Sequence, residues 1–233
     1  MLIMGIDGCK SGWLCVIKDL DTDRIYGRVI SRIDQLLDED LSPFLAMIDI
    51  PIGLTEQGSR EADILARKLL KSPRASSVFP SPIRPMLAAQ TYREACAIGV
   101  AGDGRKLSQQ AWAILPKIKE VDSFLLEDTA RQSSLREVHP EVCFTHWNRG
   151  NPMMHGKKTP EGQYARQRLV ESHFGEALNH VLANPFGKGY GMDDLLDAFA
   201  ALWTCERVLE GKAVTLPVRP SKDPMGLVME MVA

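Results

Sequence analysis

Two aspartates in this 233-residue chain stand where an ionised carboxylate is costly. Asp49 lies inside the run Phe44-Leu45-Ala46-Met47-Ile48-Asp49-Ile50-Pro51-Ile52, and Asp7 ends the apolar run from Leu2 to Ile6. A carboxylate withdrawn from water must be paired, hydrogen-bonded or bound to a metal. Taken singly, each has an ordinary explanation. Asp49 can be a core acid satisfied by an arginine or by loop N–H groups, and Asp7 an Asp-Gly turn starter. The pair says more than either member. If both end neighbouring parallel strands, their carboxylates leave the sheet at its carboxyl edge about 5 Å apart, where like charges repel unless a cation lies between them.

Further acids fall into two places. The segment Met192 to Leu209 carries an apolar stripe of Leu195, Leu196, Phe199, Leu202 and Trp203, and its spacing predicts a helix. Asp194 and Asp197, at i and i+3, stand together near its start. Capping and the helix dipole account for Asp193 or Asp194. They account less well for Asp197, which sits among Ala198, Ala200 and Ala201, residues small enough for close packing on a sheet. The segment Arg136 to Phe144 reads as a strand with Glu137, His139 and Glu141 on one face. Polar-out alternation is the plain reading of it. Beside Asp49, such a strand would bring one of the two glutamates to the same cluster.

The elements that must position these residues follow from the apolar pattern. Leu2 to Ile6, Trp13 to Lys18 and Arg24 to Ser31 predict an antiparallel meander. Ile33, Leu36 and Leu37 mark a short amphipathic helix, and Phe44 to Ile50 a strand closed by Pro51. Strand, crossover and strand make a βαβ unit, so this strand should lie parallel to the first. Helices are expected over Arg60 to Leu70, Thr91 to Ile98, Leu107 to Leu126 (broken or kinked at Pro116) and Pro160 to Phe174. Ala213 to Val218 reads as an edge strand, and the last fifteen residues, about 219–233, as a tail. One domain covers residues 1–233, with a helical insertion over about 60–130.

Composition sets the outer bounds. Apolar residues make up 45% and charged residues 25%, ordinary values for a globular chain. A net charge of −2 argues against coating nucleic acid through bulk charge, though not against a local basic groove. The five cysteines form no Cys-x-x-Cys pair, so neither a zinc site nor a disulfide framework is suggested. No stretch has the length and polarity of a signal peptide or membrane span, and a reducing cytoplasm is the expected setting. Oligomeric state leaves no mark in the sequence.

Seven blocks together resemble a known family. They are Gly5-Ile6-Asp7-Gly8-Cys9-Lys10-Ser11-Gly12-Trp13, Ile48-Asp49-Ile50-Pro51-Ile52-Gly53-Leu54, Ser76-Ser77-Val78-Phe79-Pro80, Leu107-Ser108-Gln109-Gln110, Pro116-Lys117-Ile118-Lys119-Glu120-Val121-Asp122, Glu137-Val138-His139-Pro140-Glu141 and Asp193-Asp194-Leu195-Leu196-Asp197-Ala198. In this order they resemble the domain-of-unknown-function family numbered four-two-nine, described as predicted RNase H-like nucleases. The resemblance implies an α/β fold of RNase H-like type, a mixed central sheet of antiparallel meander plus parallel strands flanked by helices. It is distantly similar to Holliday-junction resolvases, in which an Asp on the first strand, an acid on a later strand and Asp-x-x-Asp on the last helix hold Mg²⁺ or Mn²⁺. Asp7, Asp49, Asp194 and Asp197 match those places. The long helical insertion has no counterpart there and leaves substrate choice open.

The leading expectation is therefore a metal-dependent nuclease. Asp7, Asp49, Glu137, Asp194 and Asp197 would hold two cations, Mg²⁺ or Mn²⁺, which activate water and stabilise the leaving oxygen. His139 would shuttle a proton or orient a glutamate. Lys10, Arg74, Arg84, Lys117 and Lys119 would touch substrate phosphates, although scattered basic residues are ordinarily a solvated surface. Two rivals are a non-catalytic nucleic-acid or protein-binding domain with structural acids, and an ATP-dependent phosphotransferase of actin-like type. The latter normally needs a duplicated domain.

Overall fold

The computed structural model describes residues 1–184 and 186–233. Its centre is a five-stranded mixed sheet in the order β3-β2-β1-β4-β5. Strands β1 (Leu2–Cys9), β2 (Gly12–Asp19) and β3 (Arg24–Ile30) form the antiparallel meander. After a 3₁₀ turn over Ile33–Leu37, β4 (Leu45–Ile48) returns parallel to β1, and β5 (Leu135–Glu137) adds parallel to β4. The fold class is thus the expected one, α/β with a mixed sheet, and is consistent with RNase H-like architecture.

Period-two alternation gives each sheet face its own core. Ile3, Leu14, Val16, Leu45 and Met47 turn to one side, where α7 (Met192–Leu209) crosses them together with α4 (Pro140–Trp147), α5 (Pro160–Phe174) and the short α6 (Ala177–Ala183). Met4, Ile6, Trp13, Cys15 and Ile48 turn to the other, against α3 (Gln109–Glu127). Close approach fixes the first face. A Cβ on Gly5 would meet the carbonyl oxygen of Ala198 at 2.0 Å and the amide nitrogen of Leu202 at 2.3 Å, so only glycine lets α7 lie on β1.

The region expected as an insertion is woven into this frame. Helix α1 (Glu61–Arg74) sends Ala62, Ala66 and Leu70 into the α7-side core, while α3 covers the opposite face. Between them α2 (Tyr92–Asp103) and its flanks build a small core of their own around Met86, Ala95 and Ala111. Pro116 lies within α3 without ending it.

Two expectations are corrected. The segment after Glu137 is not a strand to Phe144. Pro140 opens α4, because proline suits a first helical position and cannot donate to a ladder. Nor are the last residues a tail. Leu227, Met231 and Val232 are buried, and Asp223 accepts hydrogen bonds from the backbone N–H groups of Leu54 and Leu227, both at 3.0 Å. A two-stranded sheet joins β6 (Thr215–Leu216) to β7 (Met231–Val232), so the expected edge strand pairs with the chain end and not with the main sheet. Among the described residues, no helix is long and apolar enough to cross a membrane. All five cysteines are buried and free.

Candidate functional site

Asp7 and Asp49 each follow the last paired couple of their strands, Ile6 and Ile48. The backbone N–H of Asp49 donates to the carbonyl of Ile6 at 3.0 Å, so the pairing continues to the acid itself. Odd-numbered residues of β1 and β4 face α7, which puts both side chains beneath that helix. Asp197, one turn into α7 and beside the Gly5 contact, is 1% exposed and completes the group. Asp7, Asp49, Asp194 and Asp197 all line one cleft of about 550 Å³ at the carboxyl edge of the sheet.

These acids differ in how they are satisfied. One Asp7 oxygen accepts from the N–H of Gly8 at 2.8 Å. Asp194 accepts from the N–H of Gly191 at 2.8 Å, the capping role expected of a first-turn acid. Asp197 accepts from the Lys157 ammonium at 2.5 Å through Oδ2, while its Oδ1 is buried without a partner. Burial pushes the Asp7 carboxyl up, and the charges of Asp49 and Asp197 push it further. Asp49 is raised by burial against the opposing pull of His139 and Lys157. Burial lifts Asp197 to about 7 although Lys157 opposes the shift. For Lys157 burial works the other way, yet Asp197, Asp7 and Asp49 together hold its proton more firmly than usual. Three carboxylates thus face one ammonium.

Glu137 does not join them. It pairs in register with Ile48, and that register turns it to the sheet face opposite Asp49. There its two oxygens receive both arms of the Arg60 guanidinium at 2.7 and 2.6 Å and the N–H of Ile52 at 2.6 Å. Arg60 also binds Asp63 at 2.5 Å. This fully buried set ties down the loop that leaves Asp49, and it forms part of the cleft wall. Glu141, the alternative glutamate, sits on α4 on the Asp49 side. It is held by Arg166 through Oε1 and has its Oε2 buried and unpartnered. His139 brings Nε2 to within 3.3 Å of the Ser77 carbonyl and lines the cleft.

The expected phosphate contacts divide. Arg74 and Lys117 line the cleft, Lys117 lying 4.3 Å over the Trp13 ring. Arg84 does not, because Asp122 (2.8 Å) and Asp223 consume its guanidinium. Lys119 donates to the Ala89 carbonyl at 3.3 Å and lies off the cleft, as does the exposed Lys10. Sequence reasoning missed Lys157 and Lys158. Both line the cleft from the loop before α5, and a Lys-Lys pair ahead of a Thr cap is the one signal that could have marked them.

The donor chemistry suits a hard divalent cation: carboxylate oxygens, excess negative charge and an orphaned Asp197 oxygen. Among the described residues, however, no group of three or more His, Cys, Asp or Glu side chains already stands close enough together to hold a metal ion. The Lys157 ammonium is the cation that stands there.

The model of one protein family, described as Protein of unknown function (DUF429), matches residues 5–222. Comparison with curated proteins and with solved structures returned no match.

Proposed function

We propose that this chain, which belongs to the DUF429 family of proteins of unknown function, is a metal-dependent phosphodiesterase acting on nucleic acid. The observation that carries the reading is the convergence of Asp7, Asp49 and Asp197 beneath α7 with one Asp197 oxygen left unpartnered. An active-site cleft is where perturbed carboxylates of this kind concentrate. Drawn closer around a bound ion than they stand here, Asp7, Asp49 and Asp197 would hold Mg²⁺ or Mn²⁺, with Glu141 behind them in the place first expected for Glu137. A bound cation supplies Lewis acidity and a more acidic water. The chain's own residues do the remainder. His139, which lines the cleft with Nε2 at the Ser77 carbonyl, would take the proton of an attacking water through Nδ1, and Lys117, Lys157 and Arg74 would offer charge to phosphate oxygens. Water adds to phosphorus, the bond to the leaving oxygen breaks, and that oxygen gains a proton.

The rival reading, a non-catalytic binding domain, has one observation in its favour: Lys157 already neutralises part of the acid cluster. Titration of the chelator-treated protein with Mn²⁺, with cleavage assays on DNA and RNA, separates the two. Binding near stoichiometry with cleavage lost in Asp49→Asn is the expected result. Neither binding nor cleavage would leave the acids structural.

A further inference from the structure

The cleft has three chemically distinct walls. Its floor is the aspartate group, its rim carries Arg74, Lys117, Lys157 and Lys158, and its flank is apolar through the half-buried Phe79 and Ile114. Acid floor, cationic rim and apolar flank match a phosphoester that carries a flat ring. At about 550 Å³ the space falls in the range of single-ligand sites, about 300–1,000 Å³. It is also deep, since Asp7 and Asp197 are 6% and 1% exposed. A duplex presents its phosphates on a convex rod, whereas these acids lie in a cleft that α3 and the Arg74–Phe79 segment also line.

Charge argues in the same direction. Binding along a duplex neutralises many phosphates at once and needs a basic stripe. Here the net charge is −2, and Arg60, Arg84 and Arg166 are each committed to acids within the protein. Lys157 is committed to Asp197 in the same way, so Arg74, Lys117 and Lys158 remain at the rim to serve a few phosphates. We infer that the substrate is single-stranded nucleic acid, one nucleotide unit of which enters the cleft with its phosphate on the floor and its base along Phe79 and Ile114. This rests on the hydrolase reading above and narrows it.

The test uses the full chain with Mn²⁺, a single-stranded oligonucleotide, and the same sequence closed into an end-less dumbbell duplex. Cleavage is measured with Asp49→Asn as the contamination control, and binding by anisotropy with Ca²⁺ in place of Mn²⁺. The expected result is cleavage of the single strand with the paired stem of the dumbbell left intact, and a KM raised in Arg74→Ala while Mn²⁺ affinity is unchanged. Binding should weaken with salt at a slope no steeper than about −2, three rim cations at about 0.7 each. Equal cleavage within the paired stem of the dumbbell, and not merely in its closing loops, overturns the single-strand inference and leaves the hydrolase standing. Selective single-strand binding without cleavage overturns the hydrolase and keeps the substrate class. Loss of both cleavage and binding overturns both.

Discussion

At the residue scale, one ammonium among three carboxylates decides how the site behaves. Lys157 reaches Asp197 with 37% of its own side chain exposed, whereas Asp197 is almost fully enclosed. Removing the lysine strands the acid, so Lys157→Met should destabilise the metal-free protein by about 1–2 kcal/mol, below the full cost of breaking a wholly buried pair. The same change should tighten Mn²⁺ binding, because the ion no longer competes with a fixed cation. Calorimetric titration reads this directly, and weaker Mn²⁺ binding in the variant would count against a shared place for the two cations. Glu137 offers the contrasting case. Glu137→Gln should lower thermal stability, since it weakens a fully buried arginine pair, and leave Mn²⁺ affinity untouched. A ligand would lose affinity instead. The sequence made Asp7 and Asp49 legible because each interrupts an apolar strand. It misplaced Glu137 because a single register step decides which sheet face a strand residue takes, and no local pattern encodes that step.

At the scale of elements, the site depends on how closely α7 can approach β1. Gly5 provides that approach, and its partners are backbone atoms that cannot swing aside. Gly5→Ala should therefore cost about 1–3 kcal/mol or more through overpacking. It should also loosen the metal site by lifting Asp197 away from Asp7. Urea midpoints and Mn²⁺ titration of the same variant check both halves, and unchanged stability would mean that the helix shifts freely. The helix itself was readable to the residue, because an eighteen-residue apolar stripe with acids at its start admits one interpretation. Pro140 was the misread signal, taken for a strand residue when it opens α4. The chain end was misread for a different reason. Its apolar residues, Leu227, Met229, Met231 and Val232, lack a long period, and their burial is decided by distant partners such as Arg84 and Gln132.

At the scale of the whole molecule, the buried acids make stability, protons and cations one linked system. Burial raises Asp7, Asp49 and Asp197 in the folded state, Asp197 to about 7, whereas an unfolded aspartate titrates at about 3.9. Between those values the folded chain binds more protons than the unfolded one, so the slope of stability with pH is negative for these groups. Their contribution is present in full below about pH 4 and is lost as pH rises through the folded values. In chelator, Asp7→Asn removes one titrating member and relieves repulsion on the others. Its melting temperature should therefore rise relative to the wild type as pH goes from about 5 to about 7. A divalent cation inverts the trend, because its ligands must be deprotonated. Stabilisation by Mn²⁺ should grow over the same pH interval as RT ln(1 + [Mn²⁺]/Kd), and should be small in Asp7→Asn throughout. Melts of both proteins across that interval, with chelator and with Mn²⁺, yield four curves. If the two metal-free curves run parallel, the acids are not coupled in the folded state. If Mn²⁺ moves neither protein, the cluster is held by Lys157 alone.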